Sequence, residues 1–315
     1  MKILVTGGSG FIGSHLCEYL LKKGNEIICI DNLSSGKKEN IKHLLRSKNF
    51  RFIEHDISEP LQLNAHIDQI YHLASRASPL DFKKYAVEIM MANSFGTYNM
   101  LNLARKNRAK FLFASSSEVY GDPLEHPQKE TYWGNVNPIG VRSCYDESKR
   151  FGEALTMAFH RKFGVDVKIA RIFNTYGERM YFDGRVICTF IKQALKNEPI
   201  TVFGDGKQTR SFCYVGDMVE GLVKLMNSEY NDVFNLGSPY EIRINDLANL
   251  VKKIANSKSK IVFRPLPEDD PKKRNPDISK ARKKLGWKPK IDLENGLKKT
   301  IEWYKNNRWW LEKII

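Results

Sequence analysis

A glycine-rich turn close to the N-terminus constrains the fold of this chain more than any other feature of its sequence. The apolar run Lys2–Thr6 leads directly into Gly7-Gly8-Ser9-Gly10-Phe11-Ile12-Gly13, and apolar residues at helical spacing follow. Glycines at a strand-to-helix junction let the backbone approach a pyrophosphate group, and the N-terminus of the helix presents oriented N–H groups to it. The pattern predicts a strand, a tight turn and a helix that together bind a nucleotide.

Short apolar runs and helical segments alternate along the first half of the chain. Further strands are predicted at residues 26–30, 51–56, 69–74, 110–115 and 165–171, with helices between them, for example at 93–106 and 145–163. Strand–helix alternation of this kind predicts an α/β fold built on a doubly wound parallel Rossmann sheet.

The sequence changes in character from about Gly177, where turn motifs become frequent and the elements between them short. This predicts a smaller, interwoven C-terminal lobe rather than a separate domain. We expect a Rossmann domain over residues 1–176, to which residues from about 211 to 240 return. We expect residues 177–315 to form mainly a substrate-binding lobe.

Polar residues follow the predicted strands at the edge where a doubly wound sheet binds ligands. Asp31 closes the second strand, 18 residues after Gly13. A carboxylate there accepts hydrogen bonds from ribose hydroxyls and repels a 2′-phosphate, which favours NAD over NADP. Asp56 and Ile57 are predicted to bracket the adenine, and Leu73-Ala74-Ser75 to approach the pyrophosphate and ribose. Tight turns that bind no ligand are the alternative, but four successive strand ends favour a cofactor site.

Tyr145 and Lys149 stand four residues apart, so they share one face of a predicted helix. A nearby ammonium favours the phenolate, and we therefore expect a lowered pKa for Tyr145, which would make it a general base for an alcohol. The alternative is an exposed pair on an ordinary helix. The serines that close the fifth strand, Ser115-Ser116-Ser117, favour the catalytic interpretation, because they would face the same crevice.

Composition excludes several classes of protein. The net charge is +15, but the basic residues are scattered without a basic-aromatic motif, so we expect no nucleic-acid partner. No apolar run reaches the roughly 18 to 20 residues of a membrane span, and the N-terminus does not read as a signal peptide. The five cysteines form no CxxC pair, and the seven histidines show no ligand spacing. A cytoplasmic protein with reduced thiols and no metal site is expected.

Longer motifs identify a family. They are GGSGFIGSHL (7–16), SEVYGDP (117–123), YWGNVNPIG (132–140), CYDESKR (144–150), RIFNTYG (171–177) and DDP (269–271). With these motifs the chain resembles the extended short-chain dehydrogenase/reductase family, and within it the UDP-glucuronate decarboxylases, from residue 2 to about residue 304. The stretch 132–140 is the most specific of them.

The resemblance implies a role for each site residue. Tyr145 is the base, Lys149 lowers its pKa and holds the nicotinamide ribose, and Ser116 helps hold the reacting hydroxyl. Arg274 lies near the sugar carboxylate. The implied catalytic set also includes Ser117 and Glu118. The implied NAD-binding set is Gly7, Gly10, Phe11, Ile12, Gly13, Asp31, Asn32, Ser34, Ser35, Gly36, Asp56, Ile57, Leu73, Ala74, Ser75, Tyr145, Lys149 and Thr175. The implied UDP-sugar contacts are Asn174, Arg185, Val186, Phe203, Gln208, Arg210 and Arg274.

The implied reaction oxidises the sugar at C4, loses CO2 from the resulting β-keto acid, and returns the hydride to give UDP-xylose. Protonation at C5 is assigned to Arg274 through water or to a water held by Glu118. Nucleotide-sugar 4,6-dehydratases carry Asp-Glu where this chain has Ser117-Glu118. Their acid protonates a departing hydroxyl, which a decarboxylase does not expel, and an extra aspartate would repel the substrate carboxylate. Serine therefore favours the decarboxylase.

Several alternatives stay open at this level. The product could be the 4-keto-pentose or UDP-apiose, the enzyme could be a 4,6-dehydratase, or the chain could be a non-catalytic NAD-binding protein. The family implies a homodimer, and the absence of the membrane anchor of animal homologues leads us to expect a soluble type. The chain departs from the family pattern at Ser116 (often threonine), Met91 (often lysine) and Arg76 (usually proline). The pair Trp309-Trp310 has no assigned role.

Overall fold

The computed structural model describes residues 1–265 and 273–312. Its strands are β1 (Lys2–Thr6), β2 (Glu26–Asp31), β3 (Phe50–Glu54), β4 (Gln69–His72), β5 (Lys110–Ser116), β6 (Val167–Ile172), β7 (Thr175–Tyr176), β8 (Ile200–Phe203), β9 (Thr209–Ser211), β10 (Cys213–Tyr214), β11 (Val233–Leu236), β12 (Glu241–Arg243), β13 (Ile261–Arg264) and β14 (Lys273–Arg274). Its α-helices are α1 (Phe11–Lys22), α2 (Ala86–Met91), α3 (Thr97–Asn107), α4 (Ser143–Phe163), α5 (Val186–Leu195), α6 (Val215–Met226), α7 (Ile244–Ala255), α8 (Ser279–Leu285), α9 (Leu293–Asn306) and α10 (Trp309–Glu312).

Seven of the described strands form one parallel sheet, in the order β11-β6-β5-β4-β1-β2-β3. Strands buried on both faces read as continuous apolar runs, which is why β1, β2 and β5 are so apolar. The order reverses direction between β1 and β4, and a ligand crevice forms at such a switch point. The prediction of a doubly wound parallel sheet is confirmed.

Helices cover both faces of the sheet. On one face α1 and α6 pack with Ile3 and Val5 of β1, and on the other α3 and α4 pack with Leu4 of the same strand. Alternate residues of one strand thus enter two different apolar layers, because successive side chains of a strand point to opposite faces. This arrangement holds the carboxyl ends of the strands at one common edge.

The second half of the chain builds a smaller lobe around α5, α7 and α9, with its own apolar core. The chain nevertheless returns to the main sheet, where α6 packs on α1 and β11 pairs with β6. The boundary of the two units at residue 176 stays a prediction. The DDP motif at 269–271 lies outside the described residues.

Several boundaries differ by about two residues from the sequence-based expectation. The strands predicted at 51–56 and 69–74 end at Glu54 and His72, the strand predicted at 165–171 begins at Val167, and the helix predicted at 145–163 begins at Ser143. The helix predicted at 93–106 is a π-helical turn, Ala92–Gly96, continued by α3. Across the described ranges 1–265 and 273–312, no helix combines the length and apolarity that crossing a membrane requires. The same residues contain no group of three or more potential metal ligands, and all five cysteines are free and buried.

Candidate active site

A cleft of about 820 Å³ runs along the carboxyl ends of the sheet strands. It extends from the glycine turn and Asp31 to Tyr145 and Glu118, and then to Arg210 of the second lobe. Ligand pockets are typically about 300–1,000 Å³ and lie at such switch points. The cleft therefore has the size and place expected for a small-molecule site.

The glycine turn can be built only from glycine at two of its positions. Gly7 has a φ of +66°, and a Cβ there would lie 2.8 Å from the Ala74 Cα. A Cβ on Gly13 would lie 2.1 Å from the Gly7 carbonyl oxygen. Helix α1 begins directly after this turn, so its N-terminal N–H groups face the cleft. The turn fits the pyrophosphate that the sequence predicts.

Asp31 and Asp56 place carboxylates at the far end of the cleft. Asp31 accepts hydrogen bonds from the Ser9 N–H at 3.1 Å and the Leu33 N–H at 2.9 Å. Burial raises the pKa of Asp31, and these hydrogen bonds oppose the rise. Asp56 accepts a hydrogen bond from Asn32 Nδ2 at 2.8 Å. These fixed acceptors suit ribose hydroxyls, so the residues present fit the adenosine half of NAD.

Two residues that the sequence analysis did not single out fix the loop after β4. The Thr6 hydroxyl accepts the N–H groups of Leu73 and Ala74, each at 3.2 Å, and lies 2.8 Å from His72 Nδ1. Burial lowers the pKa of His72 to about 3, so its ring is neutral at physiological pH. Thr6 and His72 are polar residues at the ends of the apolar strands β1 and β4, and this position is the sequence signal that could have identified them. They hold the predicted NAD-binding loop against the glycine turn.

Tyr145 and Lys149 lie one helical turn apart at the centre of the cleft. The Tyr145 ring stacks on Phe82 with ring centroids 5.3 Å apart. Lys149 Nζ donates a hydrogen bond to the Ala114 carbonyl at 2.9 Å and lies 5.7 Å from the centroid of the Tyr145 ring. The end of β5 therefore fixes the lysine, and the lysine lies beside the tyrosine.

The prediction that Tyr145 has a lowered pKa is wrong when only the side chains of the protein act on it. Burial raises the pKa of Tyr145 above its ordinary value of 10, although Ser116 and Arg185 oppose the rise. Burial also lowers the pKa of Lys149 to about 7, so the lysine carries only part of its positive charge at neutral pH. Helical spacing reveals proximity but not desolvation, and desolvation is the larger effect for both groups.

Glu118 lies between two arginines, Arg142 and Arg274. It belongs to the 3₁₀ turn Ser117–Tyr120, and its backbone N–H donates to the Ser116 hydroxyl at 3.2 Å. Its carboxylate pairs with Arg142 and with Arg274. Burial alone would raise the pKa of Glu118, but Arg274 and Arg142 together hold it below its ordinary value of 4.5. The glutamate is therefore ionised at neutral pH.

Arg142 is a further residue of the site that the sequence analysis missed. It precedes α4, three residues before Tyr145, and its position beside the tyrosine motif is the signal that could have identified it. Arg274 is 3% exposed and also donates to the Gly121 carbonyl at 2.6 Å. Arg142 lines the cleft, whereas Arg274 lies behind Glu118, outside the lining formed by the described residues.

The predicted sugar-binding residues divide into two groups. Asn174, Arg185, Val186 and Arg210 line the cleft, as do Ser116, Ser117 and Thr175. Phe203 and Gln208 lie outside the lining that the described residues form. Gln208 Nε2 donates to the Phe203 carbonyl at 2.7 Å, and Phe203 is 44% exposed. The role of each residue in both groups stays a prediction.

Comparison with known proteins gives consistent results. The family described as GDP-mannose 4,6 dehydratase matches residues 4–300. The chain is 54% identical to UDP-glucuronic acid decarboxylase 1 of Arabidopsis thaliana over 97% of its own length and 70% of the plant protein. It is 51% identical to UDP-glucuronic acid decarboxylase 1 of Danio rerio, over 96% of this chain and 72% of that protein.

Two solved structures extend the comparison. UDP-glucose 4-epimerase from Thermotoga maritima, solved with UDP-glucose, is 32% identical with a TM-score of 0.89, over 98% of this chain and 100% of the epimerase. UDP-glucuronic acid 4-epimerase from Bacillus cereus, solved with UDP-glucuronic acid and NAD, is 31% identical with a TM-score of 0.87 over the same shares of the two chains.

Proposed function

The chain belongs to the extended short-chain dehydrogenase/reductase family, among the UDP-glucuronate decarboxylases, and we propose on that basis that its cleft converts UDP-glucuronate to UDP-xylose with NAD. The observation that carries the proposal is one continuous cleft. It joins a glycine turn and Asp31, suited to NAD, to Tyr145, Ser117 and Glu118, suited to a sugar that carries a carboxylate.

We propose that NAD binds along the glycine turn, with its ribose hydroxyls on Asp31 and its nicotinamide near Lys149. NAD bound there would supply the hydride acceptor and later the hydride donor for the sugar C4. The positive charge of its oxidised form would lower the pKa of the Tyr145 phenol, which burial alone raises.

Tyr145 handles the proton of the sugar 4-hydroxyl. Its oxygen takes that proton as the alcohol becomes a ketone, and it returns the proton to the C4 oxygen in the last step. The Ser116 hydroxyl, which caps the turn at the end of β5, lies beside the tyrosine and orients the hydroxyl group of the sugar. Lys149, fixed on the Ala114 carbonyl, holds the geometry of the pair.

The loss of CO2 needs little acid or base from the protein. The 4-keto sugar acid is a β-keto acid, so the C5–C6 bond breaks, CO2 leaves, and the electron pair moves into the ketone. Arg142 and Arg274 offset the charge of Glu118, so its carboxylate repels the anionic sugar less than an unpaired carboxylate would. A water held by Glu118 then delivers a proton to C5. Ser117 offers a neutral hydroxyl to the carboxylate.

Ser117 also separates this function from the second candidate, a 4,6-dehydratase, which the description of the matching family names. That reaction expels a hydroxide and needs a protonated acid next to it. Ser117 lines the cleft at the position where dehydratases carry that acid, so the residue favours decarboxylation.

We propose further that the protein acts as a homodimer in the cytoplasm. Apolar side chains are exposed on α2, the adjoining π-helical turn, α3 and α4, namely Val87, Met90, Met91, Phe95, Tyr98 and Phe151. Contiguous exposed apolar side chains of this kind are typical of protein interfaces. The five free thiols fit a reducing compartment. Light scattering tests the dimer, and cell fractionation tests the compartment.

The test of the function is to incubate the protein with UDP-glucuronate and NAD. We expect release of CO2, a UDP-pentose identified as UDP-xylose by NMR, and no net absorbance of NADH. Stoichiometric NADH with a 4-keto product would indicate the enzyme that stops at the ketone. A branched-sugar product would indicate UDP-apiose, and retention of all carbon atoms would contradict decarboxylation.

A further inference from the structure

Arg76 lines the cleft and contacts residues of two different loops. It follows β4, and its guanidinium donates through Nη1 to Asp81 Oδ2 at 3.0 Å and through Nη2 to the Ser34 carbonyl. The guanidinium also stacks on the Tyr85 ring, 3.8 Å from its centroid. The Arg76 side chain is only 14% exposed, and all four residues line the cleft.

These contacts join the two loops that flank the cofactor half of the cleft. Ser34 belongs to the loop that begins at Asp31 and continues through Gly36, on the ribose side. Arg76 follows Ser75 in the loop after β4, and β4 and β2 lie on opposite sides of β1 in the sheet. A dinucleotide lying between Asp31 and Tyr145 would run between these loops, which the contact of Arg76 with the Ser34 carbonyl ties together.

We propose that Arg76, Asp81 and Tyr85 form a clasp that closes on the Ser34 carbonyl and slows the release of NAD. Asp81 and Tyr85 hold the planar guanidinium in one orientation, so closing the clasp costs little further side-chain entropy. Opening it breaks a charge-assisted hydrogen bond between the two loops. The inference rests on the assignment of NAD to the cleft and is independent of the identity of the sugar.

Retention of the cofactor matters for a reaction that removes a hydride and returns it to the same sugar. A cofactor that left before the return step would leave the ketone unreduced. Asp81 and Tyr85 flank Phe82, on which the Tyr145 ring stacks, so the test follows the exchange of NAD itself rather than turnover.

The test measures release of NAD directly. The wild-type protein, Arg76→Ala and Arg76→Lys are loaded with radiolabelled NAD and chased with unlabelled NAD, and the retained label is followed with time. Arg105→Ala is the matched control, because Arg105 stacks on Phe163 at 4.0 Å, outside the cleft. We expect release to be about tenfold faster in Arg76→Ala, as for the loss of one charge-assisted hydrogen bond, and unchanged in the control.

Release of NAD from the other variants distinguishes the clasp from its alternatives. Lysine cannot make both contacts of the guanidinium fork, so Arg76→Lys should release NAD nearly as fast as Arg76→Ala. Release from Arg76→Ala within twofold of the wild type would overturn the clasp. If Arg76→Ala does not fold, Asp81→Asn and Tyr85→Leu serve instead, and each should speed release. Failure of the wild type to bind NAD in a titration would contradict the cofactor assignment, whereas binding with unchanged release in the variants contradicts the clasp alone.

Discussion

Replacing Glu118 by glutamine removes the negative charge between two arginines while keeping the shape of the side chain. Arg274, one of the two, is 3% exposed, so water cannot replace its lost partner. Removing one member of a buried ion pair typically costs about 3–5 kcal/mol. The amide oxygen of glutamine keeps one hydrogen bond, and Arg142 is 19% exposed and partly hydrated. We therefore expect the free energy of unfolding to fall by about 3 kcal/mol.

Urea denaturation at neutral pH measures this change. The matched control is Glu147→Gln, because Glu147 pairs with Arg150 at 3.4 Å with both side chains more than one-third exposed. Exposed pairs contribute about 0–1 kcal/mol, so the control should lose no more than that. A loss below about 1 kcal/mol for Glu118→Gln would refute the interpretation of Glu118 as the counter-charge of a buried arginine.

The stabilities of the wild type and Glu118→Gln can also be compared as a function of pH. The two arginines hold the pKa of Glu118 below 4.5 in the folded state, so its contribution to stability is complete above the pKa of the unfolded chain. That contribution disappears as the pH falls through the lowered pKa. Burial and the charge of Glu118 raise the pKa of the neighbouring Asp146 to about 7, so between neutral pH and about pH 5 the difference between wild type and Glu118→Gln also reports the titration of Asp146. Below about pH 5 the difference should shrink, and a constant difference there would contradict the assignment.

Three further substitutions test the chemistry. Tyr145→Phe should lower turnover by about 10²–10⁴ while NAD still binds in a titration, and more than a tenth of wild-type turnover would mean that another group is the base. Asp31→Ser should weaken NAD and narrow its advantage over NADP, measured as the ratio of the two dissociation constants; an unchanged ratio would place the selection elsewhere. Ser117→Asp sets a second charge beside the substrate carboxylate. Like charges about 4 Å apart at an effective dielectric constant of 20 repel by ~4 kcal/mol, and because a raised aspartate pKa absorbs part of this, we expect about a 10²-fold loss in kcat/KM. A variant as efficient as the wild type would show that Ser117 does not face the carboxylate.

The fold was predictable because its signals are local. The glycine turn after β1 and the alternating apolar runs each lie within a few residues, and they predict a parallel sheet without knowledge of distant contacts. Asp31 and the serines at the end of β5 could be placed at the crevice for the same reason, since the carboxyl ends of parallel strands share one edge of the sheet.

The electrostatics of the site could not be predicted in the same way. Glu118 meets Arg142 and Arg274 across 24 and 156 residues of sequence, and no local pattern marks such pairs. The spacing of Tyr145 and Lys149 predicts their proximity but carries no information on burial, which sets both pKa values. The Arg76 clasp is hidden for a similar reason, because its partner Ser34 lies 42 residues away.

The central claim is that the hydride taken from the sugar returns to the same carbon. It is tested most directly with UDP-glucuronate that carries deuterium at C4. Internal recycling predicts UDP-xylose that retains the deuterium at C4, even when unlabelled NADH is present in excess. Loss of the deuterium to the NADH pool, or its replacement by hydrogen, would contradict the account.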